Sequence, residues 1–276
     1  MTLIRVAHSP DSDDAFMFYA LAKGLIETGD LTFEHVLSDI ETLNRKAFEG
    51  TYEVTAVSIH AFSHLDDRYA LLGSGASMGD GYGPVLVARE PVDEARLRSM
   101  TVAIPGRLTS AALALKMWNP ALQTVIYPFD EIMPAVQSGG VDAGVVIHEG
   151  QLTWEEEGFS KIVDLGVWWA GETDGLPLPL GGNLIRRDLG AEMCERVAAF
   201  LKASIEYSLA NREQALDYAL DYGRGLDRGK ADRFVGMYVN ELTVDYGERG
   251  REAVKVFLDR AYAERLIPKV PQLDFL

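Results

Sequence analysis

The side chain best placed for proton chemistry in this sequence is a histidine at the end of an apolar run. Val141-Asp142-Ala143-Gly144-Val145-Val146-Ile147-His148-Glu149-Gly150 follows a Gly139-Gly140 turn, reads as a short buried strand and carries His148 at its C-terminal tip. In open α/β sheets ligands bind in the crevice beyond the carboxyl ends of the strands. Imidazole titrates near neutrality, so a histidine there can act as general acid or base without a large pKa shift. The same residue equally fits a half-buried histidine that caps a loop through one hydrogen bond.

A second set lies in Pro105-Gly106-Arg107-Leu108-Thr109-Ser110, between a strand over 100–104 and a helix over 111–118. Such a turn frees backbone N–H groups toward the crevice, a ready anion site to which the Thr109 and Ser110 hydroxyls would add donors. A plain N-cap at the same place needs no ligand. Asp11-Ser12-Asp13-Asp14 supplies N-cap candidates and first-turn carboxylates for an apolar helix over 15–23. As a divalent-metal site it misses the EF-hand spacing. His60 and His64 share a helical face as two zinc ligands would, but no Glu-x-x or third ligand accompanies them. No metal is therefore expected.

Gly75-Ala76-Ser77-Met78-Gly79 has the letters of a nucleophile elbow. That motif demands a helix directly after it, and Asp80-Gly81-Tyr82-Gly83-Pro84 is too rich in glycine to start one. Neither a GxGxxG nor a Walker A spacing is completed. Cys194 sits in a helical pattern and reads as a small core residue.

The elements that must position these residues follow from periodicity. Strands are expected over 3–8, 31–37, 54–57, 85–88, 100–104, 125–127, 141–148 and 161–165. Helices are expected over 15–23, 39–50, 59–65, 111–118 and 131–138, the last capped by Asp130, with the C-terminal part helical over 191–209, 212–222, 229–240 and 248–266. Trp168-Trp169 either line the crevice or pack between domains. The alternation from 101 to 148 predicts a parallel βαβαβ unit. Two crossings, near 84–90 and 176–186, predict two α/β lobes with mixed sheets flanked by helices: a discontinuous large lobe of 1–86 and 182–276, and an inserted small lobe of 87–181. The ligand cleft lies between them, and hinge closure would exclude water.

Composition narrows the partners. A chain of 276 residues with nearly half of them apolar supports an ample core. With 26 Lys and Arg against 42 Asp and Glu, the formal charge of −16 disfavours nucleic acid and anionic membrane surfaces. A single cysteine allows no intrachain disulfide. The N-terminal residues show no basic and apolar leader, and no apolar run reaches about 18 residues, so a cytoplasmic protein without membrane insertion is expected.

Several motifs carry a resemblance. Asp39-Ile40-Glu41-Thr42-Leu43-Asn44, Gly81-Tyr82-Gly83-Pro84, Val102-Ala103-Ile104-Pro105-Gly106-Arg107, Val145-Val146-Ile147-His148-Glu149 and Leu176-Pro177-Leu178-Pro179-Leu180-Gly181 together resemble the 1,4-dihydroxy-6-naphthoate synthase family, in order along nearly the whole chain. The resemblance implies a type II periplasmic-binding-protein fold in an enzyme that is not periplasmic. The implied activity is a lyase of the futalosine route to menaquinone. It converts cyclic dehypoxanthinyl futalosine to 1,4-dihydroxy-6-naphthoate and releases dihydroxyacetone, with no metal or organic cofactor.

Carried over by position, the resemblance makes His148 the proton acceptor, places Ala56, Val57 and Ser58 on one substrate wall, and Ser110 and Ala111 on the other with Thr109 adjacent. Asn44 is a further binding candidate. The partner is then a small molecule with an aromatic carboxylate resting on the helix end at 109–111. Two positions depart from the family pattern: His8-Ser9-Pro10-Asp11-Ser12-Asp13-Asp14 replaces a Ser-Pro-Cys-Pro-Asn-Asp form, and Ala56 stands where a lysine is common. The rival readings are a chorismate dehydratase-like enzyme of the same fold, separable by its product, and a non-catalytic solute-binding module, which as an uptake receptor would carry an export signal. An effector-sensing domain would need a helix-turn-helix before the first strand. Oligomeric state is left open.

Overall fold

The computed structural model describes residues 1–223 and 225–276, the side chain of Glu94 excepted. Its first sheet grows around an apolar strand, β1 (Thr2–His8), in which Ile4, Val6 and Ala7 are fully buried. Strands β2 (Leu31–Leu37) and β3 (Val54–Ser58) flank it in parallel. Two short strands follow, β4 (Tyr69–Leu71) and β5 (Ser77–Gly79).

The second sheet holds β6 (Val85–Ala88), β7 (Thr101–Ile104), β8 (Gln123–Ile126), β9 (Ala143–Val146) and β10 (Ser160–Asp164) in the order β10-β6-β9-β7-β8. Its centre is the expected parallel unit, with β7 between β8 and β9. Then β11 (Leu178–Arg186) returns to the first sheet, antiparallel to β3, β4 and β5, giving β2-β1-β3-β11-β4 with β5 on β11.

The crossings lie a few residues off the expected boundaries. Val85 and Leu86, expected in the large lobe, pair with β9 and β10, whereas Leu178 to Gly181, expected in the small one, pair with β3 and β5. Proline has no N–H for a ladder. The sheet changes fall at Gly83-Pro84 and Leu176-Pro177, just outside the strands, and the one proline inside a crossing strand, Pro179 of β11, sits beside a register shift in its pairing with β5.

One apolar cluster runs through both sheets, joining Val57 and Leu71 of the first to Leu86, Val102 and Val145 of the second. Trp169 belongs to it. It lies on a helix not foreseen from the sequence, Leu165–Glu172, its indole N–H donates to the Pro177 carbonyl at 3.1 Å, and its ring stands edge-on to Phe257. The neighbouring Trp168 lies under the Arg260 guanidinium. The tryptophans therefore pack rather than line the crevice.

Helix Ser12–Ala22 is apolar on nearly every side because it is covered on every side. The helices Ala191–Ala210, Arg212–Leu220 and Arg228–Tyr238 enclose it in a second cluster that also contains Cys194. Helix Ile132–Ser138 begins without the expected Asp130 cap, since a 3-10 turn, Phe129–Glu131, leads into it. It packs directly on β9: a Cβ on Gly144 would sit 2.3 Å from the Ile132 side chain. This close approach holds the segment that carries His148.

Two histidines are built into the first sheet in neutral form. A carbonyl can only accept, so His8 Nδ1 donates to Ser9 O (2.9 Å), and His8 Nε2 then accepts from His35 Nδ1 (3.1 Å). Burial, with His35 beside it, pushes His8 down to about 3, and burial pushes His35 down to about 4. The unfolded chain, with ordinary histidines near 6.5, takes up protons that the folded chain refuses. The stabilisation is thus complete above pH 6.5 and is lost as pH falls toward 4 and then 3. Stability measured by denaturant unfolding is predicted to drop between pH 7 and pH 4.5, and His8→Gln to remove about 2 kcal/mol of that drop. An unchanged drop in the variant would refute the assignment.

Candidate active site

His148 lies two residues beyond β9 rather than on it, and its backbone is left-handed, with φ of 56°. A non-glycine residue there costs on the order of 1–2 kcal/mol unless its surroundings impose it, and such outliers cluster at functional sites. Three contacts hold it. His148 Nδ1 lies 2.8 Å from Asp11 Oδ2, the Phe129 ring stands edge-on to the imidazole at 4.8 Å, and Gln151 N donates to His148 O at 3.1 Å. The Gln151 amide joins in when turned to satisfy both its ends. Its nitrogen then donates to Gly83 O at 2.7 Å, and its oxygen accepts from the Tyr238 hydroxyl at 2.9 Å and from His148 N at 3.3 Å.

Asp11 occupies the N-cap position of helix Ser12–Ala22 but its side chain makes no capping hydrogen bond. The carboxylate turns to His148 instead and is 2% exposed there. This revises the capping role read from the sequence. A carboxylate only accepts, so Nδ1 carries the proton of the neutral ring and Nε2 its lone pair. The geometry is that of a base with an orienting acid.

The next carboxylates on the same turn are strained electrostatically. Burial, reinforced by Asp14 and Asp11, holds Asp13 well above the usual carboxylate range. Burial and the neighbouring Asp11 push Asp14 up to about 7, although Ser9 N donates to its Oδ2 at 2.8 Å. The loop thus stores protons near neutrality. Among the described residues no group of three or more His, Cys, Asp or Glu side chains is arranged to hold a metal. His60 is occupied structurally, Nδ1 donating to Thr109 O at 3.3 Å.

His148, Asp13 and Asp14 line a cleft of about 750 Å³, mouth included, between the two sheets. Six of the sequence-predicted residues line the same cleft: Ala56, Val57, Ser58, Thr109, Ser110 and Ala111. Asn44 does not. It is fully buried behind the wall, with its Nδ2 donating to Ser58 Oγ (3.1 Å) and its Oδ1 accepting from Ser58 N (2.9 Å), so it orients Ser58.

The turn at 109–111 also differs from expectation in detail. Thr109 Oγ1 accepts from Ala112 N and donates to Gly106 O, while Ser110 Oγ accepts from His60 N and donates to Leu180 O at 2.6 Å. The hydroxyls that were to supply extra donors are spent on closing the turn and tying it to β11. What helix Ser110–Trp118 offers a ligand is its first-turn backbone N–H groups and the positive end of its dipole. Ser77, from the elbow-like pentapeptide, also reaches the cleft, but from β5 with no helix following it.

Several cleft residues were not singled out from the sequence. Gln151, Phe234, Tyr238 and Asn183 line it, and Asp11 orients its histidine. Asp11 left a trace, because the loop carries more carboxylates than one helix end requires. Phe234 and Tyr238, spaced i and i+4 on an amphipathic helix, read as core and nothing local says otherwise.

A family model described as menaquinone biosynthesis matches residues 4–263. Over 276 residues, the whole of both chains, the protein is 40% identical to a 1,4-dihydroxy-6-naphtoate synthase of Thermus thermophilus. A crystal structure of an Archaeoglobus fulgidus protein is 49% identical, with a TM-score of 0.92 over 96% of this chain and 98% of that one. The alkanesulfonate-binding protein of Xanthomonas axonopodis bound to MOPS superimposes with a TM-score of 0.71 at 14% identity, over 98% of this chain and 96% of that one, which establishes the periplasmic-binding-protein fold and no more. With the family match covering nearly the whole chain, and identity of this extent along the full length of a curated relative, the protein belongs to the menaquinone-biosynthesis family of enzymes.

Proposed function

We propose that the protein is a cytoplasmic carbon–carbon lyase that converts cyclic dehypoxanthinyl futalosine to 1,4-dihydroxy-6-naphthoate and releases dihydroxyacetone, with His148 as general base. The observation that carries this reading is the His148–Asp11 couple, 2.8 Å apart, set in a cleft that also exposes a helix N-terminus. The name of the Thermus thermophilus relative agrees with it.

The residues take the following roles. The aromatic carboxylate of the substrate rests on the first-turn N–H groups of Ser110 and Ala111, where the helix dipole favours an anion. Ser58 Oγ already accepts from Asn44 and offers its own proton to a substrate oxygen. His148 Nε2 removes a proton from carbon, the C–H electron pair stays with the substrate, and Asp11 stabilises the imidazolium that forms. Fragmentation of the sugar-derived ring follows, and the proton held by His148 returns to the products. Substrate and products balance without net oxidation. Aromatisation supplies the driving force, so the protein mainly orients the substrate and moves protons.

Closure of the two lobes shields the intermediates. His148–Asp11, Gln151–Tyr238 and the Lys230–Glu156 ion pair, at 2.5 Å, join elements of the second sheet to helices of the first and would form on closing.

The decisive assay incubates the purified protein with cyclic dehypoxanthinyl futalosine and follows dihydroxynaphthoate by liquid chromatography and mass spectrometry. His148→Asn is predicted to lower turnover by about 10² to 10⁴; near-native turnover would end its assignment as base. Saturable binding without product from the wild type would favour the solute-binding reading that the fold shares.

Asp11→Asn tests the tautomer. An amide that donates to Nδ1 places the lone pair on the wrong nitrogen, so kcat is predicted to fall by roughly tenfold or more with KM little changed. Nitrogen-15 NMR of His148 should show protonated Nδ1 in the wild type and a loss of that preference in the variant. Unaltered kcat and an unaltered spectrum would remove Asp11 from the mechanism.

A further inference from the structure

The β11 wall of the cleft holds a polar group that the fold does not satisfy. Asn183, on β11, is 1% exposed and lines the cleft. It pairs in register with Ala56 of β3, so the two flank one spot on the sheet. Its amide orientation is fixed: Nδ2 donates to the Gly75 carbonyl at 3.2 Å, and a carbonyl can only accept. The amide oxygen therefore points the other way, and among the described residues no group donates to it.

Gly75 is what admits this arrangement. It lies at φ of 82°, and a Cβ there would stand 2.1 Å from Asn183 Nδ2. Glycine and asparagine are thus matched to place one amide against the cleft. A buried acceptor left unpaired is costly, and a ligand donor would recover that cost.

The cleft therefore presents groups of both senses. The helix end at Ser110 and Ala111 and the Ser58 hydroxyl offer donors, and Asn183 offers an acceptor. An aromatic carboxylate satisfies the donors and has no proton for the acceptor. We infer that Asn183 is a specificity-determining residue that accepts a hydrogen bond from a hydroxyl on the aliphatic, sugar-derived part of the substrate, and so selects ligands that carry both a carboxylate and a hydroxylated arm.

This rests on the function proposed above, and the test separates the two. Asn183→Leu keeps the volume and removes the acceptor; Asn183→Ala is the companion variant should leucine strain the strand. Turnover of cyclic dehypoxanthinyl futalosine is measured for each, together with competitive inhibition by 2-naphthoate, which has the aromatic carboxylate and no hydroxyl. The expected result is KM raised roughly tenfold, the worth of one lost hydrogen bond to substrate, with the inhibition constant for 2-naphthoate unchanged within about twofold. A general disturbance of the cleft would raise both constants together, and that outcome overturns the inference, as does an unchanged KM. Failure of the wild type to turn the substrate over overturns the functional reading and this inference with it, whereas wild-type turnover with an unaffected variant overturns the inference alone.

Discussion

A carboxylate and an imidazole from different parts of the fold meet at 2.8 Å, and the site depends on that contact. Asp11 begins a helix packed against the first sheet, and His148 follows the last strand of a βαβαβ unit in the second. Neither side chain is oriented by its own segment alone. Asp11 forgoes the capping bond that its position offers, and His148 adopts a left-handed backbone that histidine does not choose. Each departure has a local cost, and together they place an imidazole with a defined tautomer in a cleft.

The rest of the molecule makes those departures tolerable. Helix Ser12–Ala22 is wedged between sheet and helices, so its N-terminus stays in place without a cap. The glycine at 144 lets helix Ile132–Ser138 press on β9, and Gln151 ties the backbone at His148 to both the crossing turn at Gly83 and the C-terminal helical layer. Rigidity comes from dispersion and burial in the two large clusters. Direction comes from a few hydrogen bonds whose partners lie far apart in the chain.

Electrostatics then divides the cleft. Asp13 and Asp14, crowded beside Asp11 and out of water, hold protons at a pH where carboxyls are ordinarily ionised. This lowers the number of negative charges facing the cleft, and leaves Asp11 as the partner of the imidazole. The hydroxyls at Thr109 and Ser110 are consumed internally, so anion recognition at that end rests on backbone groups fixed by the helix. A site made of backbone donors does not depend on rotamers, so its direction is set by the helix alone.

By itself the sequence determined the fold class, most of the strands and helices in their order, and the histidine that follows a buried strand, because these follow from periodicity and from where proline and glycine interrupt it. The motif order was enough to identify the family that the comparisons then established. The walls at 56–58 and 109–111 were legible through that resemblance and through the free N–H groups that every helix start presents. Only the tertiary structure decided that Asp11 serves His148 and not its own helix, that Asn44 stands behind Ser58, that the tryptophans pack, and that Asn183 and Tyr238 reach the cleft. Each of these is a hydrogen bond or contact between segments far apart in the chain. Local pattern fixes which face of an element is apolar, but it cannot say which distant polar group that element will meet once the sheets are assembled.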